Sequence, residues 1–398
     1  MKIKLITKFN MREIFAFAYW LYIISNVLLE TQLIDSQSVS IGLRLIKYLG
    51  IAIVWAMCLQ KKRGNKRVFV IMLIMLVPAF LNTVLLSGGS MLFEIAIILI
   101  SYSMINFEID YVFKHTIYAL IFGHVGVILL CKVGILEDEV TSRWFGSYMG
   151  ALAGEQVRHG MGFLASNQIP LTLMLIYFML ITLKGNNIKF WMNVIVIALA
   201  LVSWNLFGSR ISLGLIIFAV LCYYGVRFGE KHLRLKKLPN FMWLSFVICA
   251  AISILCATMY NSNNAIWYLI NDIFYNRLRW SHAALAKYSV TFLGQGLEVG
   301  YSTGLNGENI VDNGYVLILL QRGLFLSCFI IVAWTYLGYK ARQSNKLYLS
   351  LSVALIAIAC LIDNHLTSYK MVPYYCLMVN YLKRYKTFSS KYHHLNSQ

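Results

Sequence analysis

Apolar runs of about 20 residues recur from one end of this sequence to the other, separated by short polar turns. A helix of about 20 residues covers the roughly 30 Å hydrocarbon core of a bilayer. The runs are continuous rather than alternating, which argues against a transmembrane β-barrel. Of 398 residues, 59% are hydrophobic, 13% are charged and only 4 are proline. A soluble protein of this size could not hide so much apolar surface in one core. The expected fold is therefore an all-α integral membrane protein with about 12 transmembrane helices. They fall near 13–30, 41–60, 68–86, 91–106, 112–133, 160–183, 190–207, 210–227, 241–260, 313–338, 347–364 and 367–382. Residues 1–398 are expected to form a single polytopic domain, with extracytoplasmic loops at 134–159 and 261–312, the larger one partly helical.

The formal net charge is +19. In a soluble chain this would suggest nucleic acid, but here the positive-inside rule accounts for it. With a cytoplasmic N-terminus, the clusters Lys61, Lys62, Arg63, Lys66 and Arg67, then Arg227, Lys231, Arg234, Lys236 and Lys237, then Lys383, Arg384, Lys386 and Lys391 all fall inside. The acids divide the other way, with Glu13, Glu108, Asp110 and Glu230 as the inside exceptions. The excess is topological, so both termini are expected in the cytoplasm of a multi-pass cell-membrane protein, and no nucleic-acid partner is expected. The first apolar run continues into a full span without a small-residue cleavage site, so no cleavable signal peptide is expected. All 8 cysteines lie in expected spans, where they suit buried packing rather than disulfides or a metal site. The inner segments contain no Gly-rich phosphate loop, which argues against an ATP-driven pump.

The larger outer loop has structure written into it. From Asn264 to Tyr288, Ile266, Leu269, Ile270, Ile273 and Leu278 follow a helical period, and Trp267, Tyr268, Phe274, Tyr275 and Trp280 suit a membrane–water boundary. One or two helices lying on the outer surface are expected. The glycine-rich FLGQGLEVGYSTGLNGEN (292–309) follows as a folded turn region.

Basic residues outside are few, and each needs a reason. Arg158 and His159 are expected to open the sixth span and Arg210 the eighth. Arg277 and Arg279 sit on the surface helix, and Arg322 lies about two and a half turns into the tenth span. Snorkelling to the headgroups accounts for any one of them alone. It accounts less well for Arg158, Arg210 and Arg279 together, on the face where positive charge is avoided. Guanidinium forks hold phosphate oxygens in pairs and keep their charge, so they suit a lipid diphosphate and its departure as a leaving group. The candidate acids and bases are Asp312, Glu308, Glu298, Asp272, Asp363, Glu94, His159, His282 and His365. Asp312 and Asp363 each precede an asparagine at the outer end of a span, as either general bases for a sugar hydroxyl or helix caps. His124 suits a hydrogen-bonded core histidine, and Glu94 either pairs with an arginine or faces water.

Three stretches together give the chain a resemblance. RHGMGFLASNQ (158–168) is similar to the Arg-x-x-x-Gly-Phe-Gly-His-Pro-Asn stretch of the Wzy-type polysaccharide polymerases, relatives of the O-antigen ligases. Arg158, Gly162, Phe163 and Asn167 match, while Leu164, Ala165 and Ser166 replace Gly-His-Pro. GSRISLGL (208–215) resembles the family's Ser-Arg-Thr entry into a span. LGQGLEVG (293–300) with VDNGYVLILLQRGL (311–324) resembles its Gly-x-Gly, then Asp-Asn-x-Tyr and a later glycine. The resemblance implies glycosyl transfer at the outer face, in which an acceptor hydroxyl attacks the anomeric carbon of a polyprenyl-diphosphate-linked oligosaccharide and the lipid diphosphate leaves. It implies no cofactor and no metal, with membrane lipid, a flippase and a chain-length regulator as partners. On this reading Asp312, Arg210 and Arg279 are catalytic, with Arg158, Arg210 and Arg279 on the diphosphate and Asp312 as base. Arg158, His159, Arg277, His282, Tyr315, Arg322, Asp363 and His365 bind substrate, with Arg322 holding Asp312 ionised. The rivals are a flippase for the same lipid-linked oligosaccharide, a polysaccharide ligase and a structural membrane component.

Overall fold

The computed structural model describes residues 11–59, 66–85, 91–104, 108–145, 154–274, 276–297 and 311–382. The regular structure of the described chain is helical except for one short ribbon. In order come α1 (Met11–Leu29), α2 (Gln37–Leu59), α3 (Lys66–Leu85), α4 (Met91–Met104), α5 (Ile109–Lys132), β1 (Val140–Phe145) and β2 (Gly154–His159). There follow α6 (Gln168–Lys184), α7 (Phe190–Phe207), α8 (Arg210–His232), α9 (Ser245–Met259), α10 (Ala265–Ile273), α11 (Arg277–Lys287), α12 (Gly314–Gln343) and α13 (Leu347–Ala359). A last helical stretch covers 372–382.

Among the described residues, 8 helices are long and apolar enough to cross a membrane. This is a multi-pass architecture. Helix α13, with 13 residues, is about 20 Å long, short of a 30 Å core.

The chain forms two compact units. The first comprises Met1–Val77, Met91–Leu136 and Tyr369–Gln398, and the second Pro78–Ser90 and Glu137–Ser368. The division falls at Pro78 inside α3, where the ring removes a helix donor.

In the first unit, α1 packs on α2 and α5, and α2 packs on α4. Gly50 permits the α1–α2 approach, since a Cβ there would lie 2.6 Å from the Ala18 carbonyl oxygen. Tyr19 and Thr116 join α1 to α5 through a buried 2.9 Å hydrogen bond. Phe113 meets Tyr374 edge to face, with ring centroids 5.0 Å apart.

In the second unit, α13 is buried on nearly every side, as a uniformly apolar helix must be. It packs on α6, α9 and α12, and its Ser352 hydroxyl donates to the Phe178 carbonyl at 3.0 Å. The indole of Trp334 on α12 is fully buried against Phe246 of α9.

The ribbon corrects the expected sixth span. The helix begins at Gln168, and residues 154–159 pair antiparallel with 140–145. Arg158 and His159 thus end a strand rather than open a span. The polar sequence VTSRWF against GEQVRH cannot sit in hydrocarbon, and its backbone is satisfied by the ladder instead.

Candidate functional site

Each candidate in the second unit is placed by a local rule. The ribbon register sets His159 opposite Val140 and Arg158 opposite Thr141. Successive strand residues point to opposite faces, so the two side chains take separate partners. Arg158 Nη2 donates to the Gly208 carbonyl at 2.9 Å. Gly208 closes α7 in the left-handed region (φ 64), and the same carbonyl accepts the Arg210 backbone N–H at 3.2 Å. The Arg158 guanidinium is thereby fixed at the turn that leads into α8, whose first residue is the half-buried Arg210.

On the other face, His159 Nδ1 lies 2.7 Å from Asp138 Oδ2, and Asp138 Oδ1 accepts the Met161 N–H at 2.7 Å. Partial burial pushes the Asp138 carboxyl up. The Met161 amide and the His159 ring outweigh this and hold it below the usual carboxylate value. The turn that carries these bonds is unusual. Met161 (φ 48) and Gly162 (φ 90) are both left-handed, and a Cβ at Gly160 would lie 2.5 Å from the Phe163 carbonyl oxygen. His159 Nε2 has no partner among the described residues, and the side chain is 35% exposed.

The opposite end of the unit's sequence supplies an ion pair. Arg277 Nε donates to Asp312 Oδ2 at 3.0 Å, with the guanidinium largely buried. Arg277 Nη1 is buried with no hydrogen-bond partner among the described residues. The expected partner of Asp312 was Arg322; the structure supplies Arg277 instead. Ten residues of helix span about 15 Å, so Arg322 is out of reach, and the cap leaves the Asp312 side chain available. Asn313, not Asp312, caps α12, accepting from the Tyr315 and Val316 amides and from the Ser253 hydroxyl at 2.7 Å. The Asp312 carboxylate is thereby left to pair across to α11. Arg279, two residues beyond Arg277, falls on roughly the opposite side of α11 and is exposed.

The remaining candidates bind protein. His282 Nδ1 sits 2.8 Å from the Ala257 carbonyl and its ring lies against Tyr260, fastening α11 to α9. Tyr315 is buried and donates to the Ala357 carbonyl at 2.9 Å. Asp363 Oδ1 accepts the Asn364 amide at 2.7 Å, and His365 is buried. The two Asp-Asn segments meet, because Gly314 N–H donates to the Cys360 carbonyl at 3.0 Å and a Cβ at Gly314 would lie 2.8 Å from the Asp363 carbonyl oxygen. Glu298 and Glu308 lie outside the described residues.

Arg322 lies at a break in α12. Gly323 (φ 78, ψ 172) interrupts the helix, and the 291–295 segment crosses it. Leu324 and Phe325 amides donate to the Thr291 and Phe292 carbonyls, and the Gln295 amide donates to Gln321. Asn82 from α3 joins both sides. Its Nδ2 donates to the Leu293 and Gln321 carbonyls at 2.8 and 3.0 Å, and its Oδ1 accepts from Arg322 Nη1 at 3.1 Å. Asn82, Asp138 and Asn313 escaped the sequence reading as site residues. Asn82 had a usable signal, an amide inside an apolar run, where a polar side chain demands a partner.

Among the described residues no group of three or more His, Cys, Asp or Glu side chains could hold a metal ion. The chain matches no family model, no curated protein and no solved structure.

Proposed function

We propose that the protein polymerises polyprenyl-diphosphate-linked oligosaccharide repeat units at the outer face of the cytoplasmic membrane. The acceptor hydroxyl of one repeat unit attacks the anomeric carbon of another. The carbon–oxygen bond to the lipid diphosphate breaks, and the diphosphate leaves with the bonding pair. The observation that carries this reading is the Gly208 turn, which fixes the Arg158 guanidinium and leads into Arg210. Two guanidinium groups there suit a diphosphate whose negative charge grows as it leaves. Asp312, paired with Arg277 at 3.0 Å, is the base for the acceptor hydroxyl in this reading. Arg279 takes a headgroup contact from its exposed face.

The test is polymer length in cells lacking the gene and complemented with native protein or Arg210→Ala at equal protein level. The expected result is a normal ladder with the native protein, and single lipid-linked repeat units at the outer face with Arg210→Ala. A normal ladder from Arg210→Ala removes the diphosphate clamp. A second reading, a flippase for the same substrate, is favoured by one observation, an ion pair inside the helices of the first unit between Lys47 and Glu94. Repeat units trapped on the cytoplasmic side would establish it. A normal ladder left on its carrier would instead identify a ligase.

A further inference from the structure

The first unit holds buried ionisable groups that glycosyl transfer does not use. Lys47 on α2 and Glu94 on α4 pair through Glu94 Oε1, with side chains only 9% and 7% exposed. Lys47 lies roughly 15 Å along α2 from its start. A second pair, Lys370 Nζ with Glu30 Oε2 at 3.2 Å, lies at the end of α1 where the chain turns toward α2. The Tyr369 hydroxyl donates to the same Glu30 oxygen at 3.2 Å.

A row of side chains on α1 lies between the two pairs. Tyr22, Asn26 and Glu30 recur every four residues, on one face of the helix continued by its last turn. Tyr22 meets Tyr369 edge on, with ring centroids 6.5 Å apart. Its hydroxyl faces Glu94 without reaching hydrogen-bond geometry. Three buried oxygens in this row lack a hydrogen-bond partner among the described residues: Tyr22 Oη, Asn26 Oδ1 and Glu94 Oε2. Orphaned buried acceptors are rare and mark a place that exchanges a proton, water or ion. A purely structural ion pair would be expected to satisfy both carboxylate oxygens, because a half-satisfied buried charge is costly.

We propose that Glu94 is a proton-binding site buried among the helices of the first unit, reached along Glu30, Tyr369 and Tyr22. The proton adds to Glu94 Oε2, the oxygen that Lys47 does not hold. Lys47 stays charged throughout, and water at the Glu30 end, whose side chain is 19% exposed, supplies the proton. The charged and titratable groups facing Glu94 are Lys47 and Tyr48 from α2 and Tyr22 from α1, with Arg44 facing Tyr48. This inference stands whether the second unit is a polymerase, a flippase or a ligase.

A hydrophobic carbodiimide tests it, because the reagent adds to a protonated carboxyl in an apolar setting and leaves a mass tag. The full chain in lipid vesicles is treated between pH 5 and pH 8 and the tagged residue is read by mass spectrometry. Tagging at Glu94 that rises at least tenfold toward pH 5 is expected. Lys47→Met should extend the tagging to pH values at which the native chain is untagged. Tyr22→Phe should slow the approach to full tagging after a pH drop. If the Lys47→Met chain is tagged and the native chain is untagged at every pH, the pair is a permanent lock and the proposal falls. It also falls if sodium chloride blocks the tag at constant pH, which would assign the site to a metal cation. Lack of tagging at Glu94 in both proteins overturns it as well. The native chain carries the decisive measurement, so a variant that fails to fold does not remove the test.

Discussion

Asp138 shows how one carboxylate can organise a candidate site. It fastens His159 and the amide of a left-handed residue, and those bonds hold its carboxyl below the ordinary value of about 3.9. A folded-state value below the unfolded one gives stability that is fully present above about pH 4. That stability is lost as pH falls through the lowered value. Hydrogen exchange at the 159–163 amides checks this. Protection relative to Asp138→Asn at matched pH should be present at pH 7 and disappear toward pH 3. Equal protection in the two proteins at pH 7 would mean that the ladder alone holds the turn. The two arginines of α11 separate in the same way. Arg277 holds Asp312 and Arg279 faces outward, so Arg277→Ala should reduce polymerisation about 100-fold and Arg279→Ala much less. Ladder length against protein level measures both. A severe Arg279→Ala with a mild Arg277→Ala would sink the role given to the Asp312 pair.

At the scale of elements, α12 is the clearest device. A helix broken inside a membrane protein frees backbone groups, and these must be satisfied by protein. Here the crossing segment 291–295 and the Asn82 amide do so. Replacing Asn82 with Ala would strand Arg322 Nη1 and the Leu293 carbonyl at once, while the Gln321 carbonyl keeps the Gln295 amide. At about 1–3 kcal/mol for each buried group left unpaired, the variant should lose at least about 2 kcal/mol and melt below the native protein in detergent. A Cβ at Gly294 (φ 94) would lie 2.7 Å from the Arg322 carbonyl carbon, so Gly294→Ala should fail to fold or melt as low. An unchanged melting temperature for either would show that the crossing contributes nothing.

The same element marks what sequence could and could not reveal. The apolar run of α12, the Asp-Asn entry and the surface helices α10 and α11 were legible, because period and composition report burial and boundaries directly. The break was not, since a lone Gly323 inside an apolar run resembles ordinary membrane-helix glycine. Pairing was the other blind spot. Asp312 could be singled out from its position, but its partner Arg277 lies 35 residues away in the sequence, and no local spacing reports such a pair. The 154–159 strand was hidden because its length is too short for alternation to register against the neighbouring span.

For the whole molecule, orientation decides whether any of this chemistry faces the right compartment. The basic segment ending in Lys236 and Lys237 is the strongest charge signal in the second unit, and positive segments are retained on the cytoplasmic side. The turn bearing Asp138 and the Arg158–Gly208 contact should then face outward, the side that the proposed joining of lipid-linked repeat units requires. Single cysteines read this directly, in a background where Cys328, the exposed native thiol among the described residues, is replaced by serine. Glu137→Cys should react with a membrane-impermeant maleimide on intact cells. Lys236→Cys should react only after the membrane is opened. The reverse pattern would put both arginines in the cytoplasm, beyond reach of a donor at the outer leaflet, and the polymerase reading would fall even with every side-chain contact unchanged. Positive charge at the Gly208 turn would then be an ordinary cytoplasmic anchor.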